Sequence, residues 1–407
     1  MSEWAEVSLG DLGRIVTGKT PSTSVPDYFG GNVPFVTPSD MYGHKVISRT
    51  ERCLTKAGVA AVKGSFIPKG SVMVSCIGSD MGKVTIAAHD CVSNQQINSI
   101  VVSEKFSADF IYYNLSTRKA ELQSLACSGS AQPILNKGHF SELPIVVPPL
   151  SEQRAIASVL GALDDKIELN RRMNETLEAL AQSLFKSWFV DATQSALPKG
   201  WREGTLGESL SIIETGGRPK GGIKDIAEGV PSVGAESIVG IGHFDYAKTR
   251  LVPREFFAAM NKGHVRDGDV LLYKDGGRPG EFEPHVTMVG DGFPFSEFSI
   301  NEHVYRLRTE PMLPQSFLFF WLSSDGTMDE MRNRGTGVAI PGLNSTAVRE
   351  LPVLLPPAPL LEKFDECVSP LIHRIFANCN ESRTLAALRD ALLPKLLSGE
   401  LRVLKED

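Results

Sequence analysis

The 407-residue sequence is written twice. Trp4, Leu9, Gly10, Ile15, Gly18 and Pro21 return as Trp201, Leu206, Gly207, Ile212, Gly216 and Pro219, at offsets of 197 or 198. Val33-Pro34, Gly70 and Val72 return as Val230-Pro231, Gly268 and Val270. The offset grows to 207 where Phe110 and Leu115 meet Phe317 and Leu322. It settles at 208 for Pro133, Asn136, Leu143-Pro144 and Pro148-Pro149, whose partners are Pro341, Asn344, Leu351-Pro352 and Pro356-Pro357. A fixed offset dictates architecture before any local assignment. Here the ends of each copy match while the middle drifts, as expected of one fold used twice with altered loops.

After each Pro-Pro the texture changes from short apolar runs to a long amphipathic pattern. Ile156, Leu160, Leu163, Ile167, Asn170, Asn174, Leu177, Ala181, Leu184 and Trp188 alternate spacings of four and three, a heptad seam. Adding 208 gives Phe364, Val368, Leu371, Ile375, Asn378, Ser382, Leu385, Arg389, Leu392 and Leu396. A helix of nearly 40 residues runs about 60 Å and needs a partner, and each helix is the other's obvious one. Antiparallel pairing predicts facing positions that sum to 552, which sets Asn170 against Ser382, Asn174 against Asn378, Leu177 against Ile375 and Trp188 against Phe364. Buried polar layers that meet only in one register fix alignment. Two residues fit the seam badly: Arg389 faces Leu163, and Pro370 lacks a backbone donor and should bend or locally open its helix.

The expected fold class is therefore α+β, with two similar domains in tandem, each followed by a long helix, and the helices paired as an antiparallel coiled coil. The boundaries read as residues 1–150 (first head), 151–191 (helix), 192–200 (linker), 201–357 (second head), 358–398 (helix) and 399–407 (tail). Within the first head VMVSCIG (72–78), KVTIAA (83–88) and INSIVV (97–102) read as strands, and 109–125 as one helix. Similar runs recur at 265–273, 303–308 and 317–331.

Composition excludes several classes. Six scattered cysteines without a CxxC pair, and eight histidines without HxH or HxxxH spacing, argue against a zinc site or a disulfide framework. The opening MSEWAEVSLG has no basic stretch followed by an apolar one, and no window reaches the apolar length that spans a bilayer, so a cytoplasmic protein without a membrane partner is expected. The net charge of −6 lacks the basic excess usual in nucleic-acid binders. Residues 1–150 carry 13 basic against 12 acidic side chains and residues 198–357 carry 17 against 21, so any attraction to phosphate must come from local loop clusters.

Catalytic motifs fail on context. GRIVTGKT at Gly13–Thr20 satisfies the phosphate-loop pattern, but Pro21 and STSVP follow where a helix should begin, and the second copy puts Ser211 and Gly217 at Gly13 and Lys19. Asn32-Val33-Pro34-Phe35 resembles the amino-methyltransferase signature, yet its middle residue is Val and no glycine-rich cofactor turn accompanies it. The loops instead suggest a DNA binder. Lys19, Thr20, Lys83, Asn94, Gln95 and Gln132 in the first head, and Arg218, Lys220, Lys274, Arg278, Arg332 and Arg334 in the second, lie on or near glycine-rich or amide-rich segments. Such side chains contact phosphates and read base edges. Asn136 and Asn344 recur in both copies, as do Trp4 and Trp201, and read as scaffold.

Two variable heads, each closed by Leu-Pro…Pro-Pro and a long helix (LPIVVPPLSEQRAIASVLGALDDKIELNRRMNETLEAL and LPVLLPPAPLLEKFDECVSPLIHRIF…), resemble the specificity subunit of Type I restriction-modification systems over the whole chain. The resemblance implies target-recognition domains that each read half of a bipartite double-stranded DNA sequence. It implies helices that hold the heads apart and dock two modification subunits, and a further motor-nuclease (restriction) subunit for cleavage. The chain itself is then non-catalytic and binds no cofactor, S-adenosylmethionine belonging to the adenine-methylating partners. The second copy departs at Pro359-Leu360-Leu361, where the first has Ser151-Glu152-Gln153, so a partner contact made there is expected to be asymmetric. The rival readings are a coiled-coil adaptor without DNA specificity and a nucleotide-using enzyme.

Overall fold

The computed structural model describes residues 4–43, 45–126, 134–223, 226–278, 280–337 and 341–403. These form two compact units, one of Met1–Lys166 with Leu385–Asp407, the other of Ile167–Thr384. Each unit therefore contains one head and a stretch of both long helices, and the helices share the cores of the heads.

In the first head a five-stranded sheet has the order Gly13–Thr17, Ile97–Val102, Val72–Ser75, Val84–Ala87, Val46–Ile47. A four-stranded sheet has the order Arg52–Leu54, Phe29–Val36, Cys91–Ser93, Phe66–Ile67. The second head repeats the plan with fewer strands: Leu210–Thr215, Val304–Thr309, Val270–Tyr273, Val286–Met288 in one sheet, and Arg250–Val252, Val230–Val233, Ser299–Ile300 in the other. The β-branched runs become strands because such side chains pack well on a pleated surface, here buried on both faces along Val72–Ser75 and Ile97–Ile100. Each head is clasped where the chain enters and leaves it. Ala5–Ser8 pairs antiparallel with Pro144–Val147, and Arg202–Thr205 with Pro352–Leu355.

The single helix expected over 109–125 is two, Ala108–Ser116 and Lys119–Ala126. The hydroxyls of Ser116 and Thr117 donate to the carbonyls of Tyr113 and Asn114, both at 2.8 Å, and so end the first helix. The second head breaks likewise into Gln315–Leu322 and Asp325–Arg334, with Ser324 Oγ donating to the Trp321 carbonyl. Asn136 and Asn344 are N-caps, accepting from the His139 and Ala347 amides at 3.0 and 2.8 Å.

The long helices are Leu150–Phe185, continued by a π turn over Lys186–Val190, and Ala358–Ser398. Within the second unit they pair antiparallel in the expected register. Asn170 Nδ2 lies 3.2 Å from Ser382 Oγ, Asn378 Nδ2 donates to Asn174 Oδ1 at 2.8 Å, and the Trp188 and Phe364 rings are 6.1 Å apart. Asn170 also donates to Glu381 Oε2 at 2.8 Å. Within the first unit Arg389 differs from expectation. Its guanidinium reaches past Leu163 to Asp164 at 2.6 Å, and the same carboxylate accepts the Tyr113 hydroxyl at 2.6 Å, so the head and both helices meet in one polar knot. Pro370 does not interrupt the helical run; it is exposed, so water can satisfy the carbonyl it leaves unpaired.

Asn174→Ala is expected to cost about 1–3 kcal/mol, because the buried Asn378 amide loses its acceptor. Leucine at both positions is expected to recover that loss while permitting other registers. A double-mutant cycle by thermal denaturation checks it, and additive losses would contradict it.

At the head of the first helix Gln153 is buried, donating to the Pro148 carbonyl at 2.8 Å and accepting from the Ser107 amide at 2.9 Å. Leu361 is buried at the matching place in the second copy. At this one of the three differing positions the change is an internal exchange of hydrogen bonds for apolar packing, whereas Ser151 and Pro359 are exposed.

Candidate nucleic-acid interface

In each head a loop frame gathers segments remote in sequence. In the first head Asn94 N donates to the Val36 carbonyl (3.0 Å), Gln96 N to Asn94 Oδ1 (3.1 Å), Cys76 N to the Gln96 carbonyl (2.7 Å) and Leu135 N to the Cys76 carbonyl (2.9 Å). In the second head Asn301 N donates to Val233 (3.1 Å), His303 N to Asn301 Oδ1 (2.9 Å), Lys274 N to His303 (2.9 Å) and Leu343 N to Lys274 (2.8 Å). The bridges Ile77–Ile134 and Asp275–Gly342 complete the correspondence. The glycine ending the first strand lies against this frame in both heads. A Cβ on Gly18 would meet the Asn94 carbonyl oxygen at 2.0 Å, and one on Gly216 the Ile300 oxygen at 1.6 Å. Only glycine permits that approach.

On this shared frame the side chains differ. Thr20 Oγ1 donates to Gln95 Oε1 at 2.9 Å in the first head. The matching residues of the second head, Arg218 and Glu302, form an ion pair of 3.1 Å. Lys19, Thr20, Asn94 and Gln95 therefore converge, with Lys19 and Gln95 exposed. Lys83 stands apart from them in role. Its ammonium is mostly buried, paired with Asp80 at 2.9 Å, donating to the Pro38 carbonyl and lying 3.1 Å from the Tyr42 ring centroid. That cage holds Asp80 below the usual carboxylate range, chiefly through the Lys83 hydrogen bond. Lys83 is better described as a brace of the 78–83 loop. Gln132 lies outside the described residues.

Most cations of the second head are also engaged. Lys274 pairs with Asp275 (2.8 Å), whose other oxygen lies 2.6 Å from His303 Nδ1. Despite burial, these two neighbours hold the Asp275 carboxyl below its ordinary value. Arg332 pairs with Asp329 and Glu283, and Arg334 with Glu330. Lys220 and Arg278 are exposed and carry no ion pair among the described residues; Arg278 sits in the short hairpin Gly277–Arg278 with Glu281–Phe282. Arg218, Lys274, Arg332 and Arg334 are thus each paired with a carboxylate, a network the linear sequence did not reveal. Exposed pairs of this kind contribute little stability, so their value is orientation.

One further difference was missed by sequence reasoning. Phe35, paired with Arg52 in its sheet, is replaced at the matching place by Ser232, paired with Arg250. The first head is filled there by the ring, with the Arg52 guanidinium 5.3 Å from its centroid. The second has a cavity of about 340 Å³ lined by Arg218, Ser232, Glu236, Arg250 and Asn301 among others. The strand Gly13–Thr17 runs through the phosphate-loop pattern, and no helix follows at Lys19-Thr20, so that motif has no nucleotide-binding geometry. No helix among the described residues is long and apolar enough to cross a membrane.

Comparison with known proteins agrees with this architecture. Residues 1–179 match the family described as Type I restriction modification DNA specificity domain. The Type I restriction enzyme MjaIX specificity subunit of Methanocaldococcus jannaschii is 29% identical, with 98% of this chain and 94% of that protein covered. The HindI specificity subunit of Haemophilus influenzae is 22% identical over 98% and 100% of the two chains. Among solved structures, the Type I S subunit of M. genitalium has a TM-score of 0.60 at 16% identity, covering 97% of this chain and 96% of that one, which shows a common fold.

Proposed function

We propose that this chain, whose residues 1–179 match the Type I restriction modification DNA specificity domain and which is 29% identical to a Type I specificity subunit over 98% of its length, is the DNA-recognition subunit of such a complex and reads an asymmetric, bipartite duplex sequence, one half with each head. The observation that carries this reading is the repeated loop frame. The same backbone hydrogen bonds support Lys19, Thr20, Asn94 and Gln95 in one head and Arg218, Glu302 and His303 in the other. A common scaffold with unlike polar tips suits two reading heads for two unlike half-sites.

The long helices set the gap between half-sites, since a helix is a ruler of about 1.5 Å per residue. Their exposed faces dock two modification subunits that bring S-adenosylmethionine and methylate adenine, and a restriction subunit joins for cleavage. The chain supplies no catalytic group and works in the cytoplasm. The domain limits proposed for this division of labour are those of the sequence: heads at 1–150 and 201–357, helices at 151–191 and 358–398.

Charge sets the expected affinity. With a net charge of −6, and with Arg218, Lys274, Arg332 and Arg334 already paired to carboxylates, the isolated chain has little left to neutralise phosphates. Isolated chain is expected to bind duplex weakly, without sequence preference and with a shallow salt dependence, because the slope scales with the number of phosphates neutralised. With its modification subunits it should prefer a target-bearing duplex over a scrambled one by about 10³-fold or more. Fluorescence anisotropy with both duplexes at low and moderate salt, with and without those subunits, decides it. Tight, selective binding by the chain alone would refute the division of labour, and absence of selectivity in the complex would refute the function.

A further inference from the structure

The two heads carry a matched pair of residues at one place. Thr20 and Arg218 lie two residues beyond the frame glycines Gly18 and Gly216, and Gln95 and Glu302 follow the frame asparagines Asn94 and Asn301. The contact between the members is conserved in position and exchanged in chemistry: hydroxyl to carboxamide at 2.9 Å, guanidinium to carboxylate at 3.1 Å. We infer that this pair sets one base pair in each half-site, Thr20–Gln95 selecting A·T and Arg218–Glu302 selecting G·C.

The chemistry follows from what each pair leaves unspent. Thr20 occupies one lone pair of Gln95 Oε1 and so orients the amide. The second lone pair and the Nε2 hydrogens then match the N6 donor and N7 acceptor of adenine, while the Thr20 methyl suits the thymine methyl. In the second head the Arg218 Nε contact to Glu302 leaves both terminal nitrogens for O6 and N7 of guanine. Glu302 Oε2 has no hydrogen-bond partner in the structure, although it is shielded from solvent. That oxygen is closed to a base as it is to water, so the role of Glu302 is to fix the Arg218 fork, as Thr20 fixes the Gln95 amide. The frame holds these tips in place in both heads: Gly18 and Gly216 allow the loops to close on the strand ends, and Asn94 and Asn301 accept the amides of Gln96 and His303.

This assignment rests on the DNA-recognition reading, and its test separates the two. The chain is expressed with its own modification subunits, and the methylated motif is determined by methylation-sensitive sequencing of host DNA. The double exchange Thr20→Arg with Gln95→Glu is expected to convert one A·T position of one half-site to G·C and leave the other half-site intact. Arg218→Thr with Glu302→Gln should do the reverse in the other half. The single variants Gln95→Ala and Glu302→Ala add no bulk and should relax that same position, losing on the order of 10- to 100-fold in discrimination. The untouched half-site reports that the protein is folded and assembled. If wild type yields a defined motif and both alanine variants preserve it, the pair does not read bases and this inference falls alone. Relaxation spread over both half-sites overturns it as well. A wild-type complex that marks no defined motif removes the recognition function and this assignment with it.

Discussion

Asp269→Ala is expected to destabilise the second unit by about 3–5 kcal/mol, the usual cost of breaking a buried ion pair by removing one partner. Asp269 is fully buried beside the strand Val270–Tyr273. Its carboxylate accepts from Arg306 Nε, from Arg308 Nε at 2.7 Å and from the Arg266 amide at 2.7 Å. Arg306 is itself nearly buried and reaches Glu214 at 2.8 Å. These carboxylates outweigh its burial and keep the guanidinium charged, with its pKa above the ordinary value. Alanine would leave that charge in the sheet with Glu214 alone. Asp269→Asn, which keeps an acceptor without the charge, should cost less. Chemical denaturation of the two variants checks the order; a loss under about 1 kcal/mol for alanine would show that water replaces the carboxylate. The first head has Ser71 and Ser99 at the corresponding places, both buried, so its sheet carries no equivalent charge.

Phe364→Ala should be as costly, about 3–5 kcal/mol, for a different reason. Phe364 begins the seam of the second long helix and is fully buried. Four rings surround it, those of Phe185, Trp188, Phe189 and Phe320, with centroids 5.9, 6.1, 5.0 and 6.2 Å away. Removing the ring opens a void that the surrounding aromatics, themselves packed against Phe317 and Trp321, cannot collapse to fill. For a unit of about 200 residues the expected fall in Tm is roughly 10 °C. Phe364→Leu retains most of the volume and should lose less than half as much. Equal losses for the two variants would point to the helix backbone instead of the cavity.

The repeat, the helix register and the strand runs were legible because they rest on periodicity and on glycine and proline, whose constraints are local. The two polar layers that fix the register could be found by arithmetic on Asn170, Asn174, Asn378 and Ser382. What escaped was whatever depends on a partner far along the chain. Thr20 and Gln95 are 75 residues apart, and nothing in either segment announces the other. Lys83 looked like a free cation beside glycine until Tyr42 and Asp80 closed around it. Arg306 and Arg308 alternate along Val304–Thr309 as an exposed face would, yet Arg306 points at a buried carboxylate. Cys76 and Cys91 also gave no hint of their state; burial pushes their thiols up to about 11 and about 12, so both stay protonated and unreactive.

The clasp at the base of each head has an evolutionary meaning. Ala5 sits opposite Val147 and Arg202 opposite Leu355, so entry and exit strands are stitched together whatever lies between them. The drift of the repeat offset from 198 to 207 falls entirely inside these clasps, between Val72 and Phe110 in the first copy. A gene built this way can accept a longer, shorter or foreign stretch between two adjacent points while the flanking helix keeps its starting residue. New specificities can then be inherited as whole inserts, with the rest of the assembly unaware of the exchange.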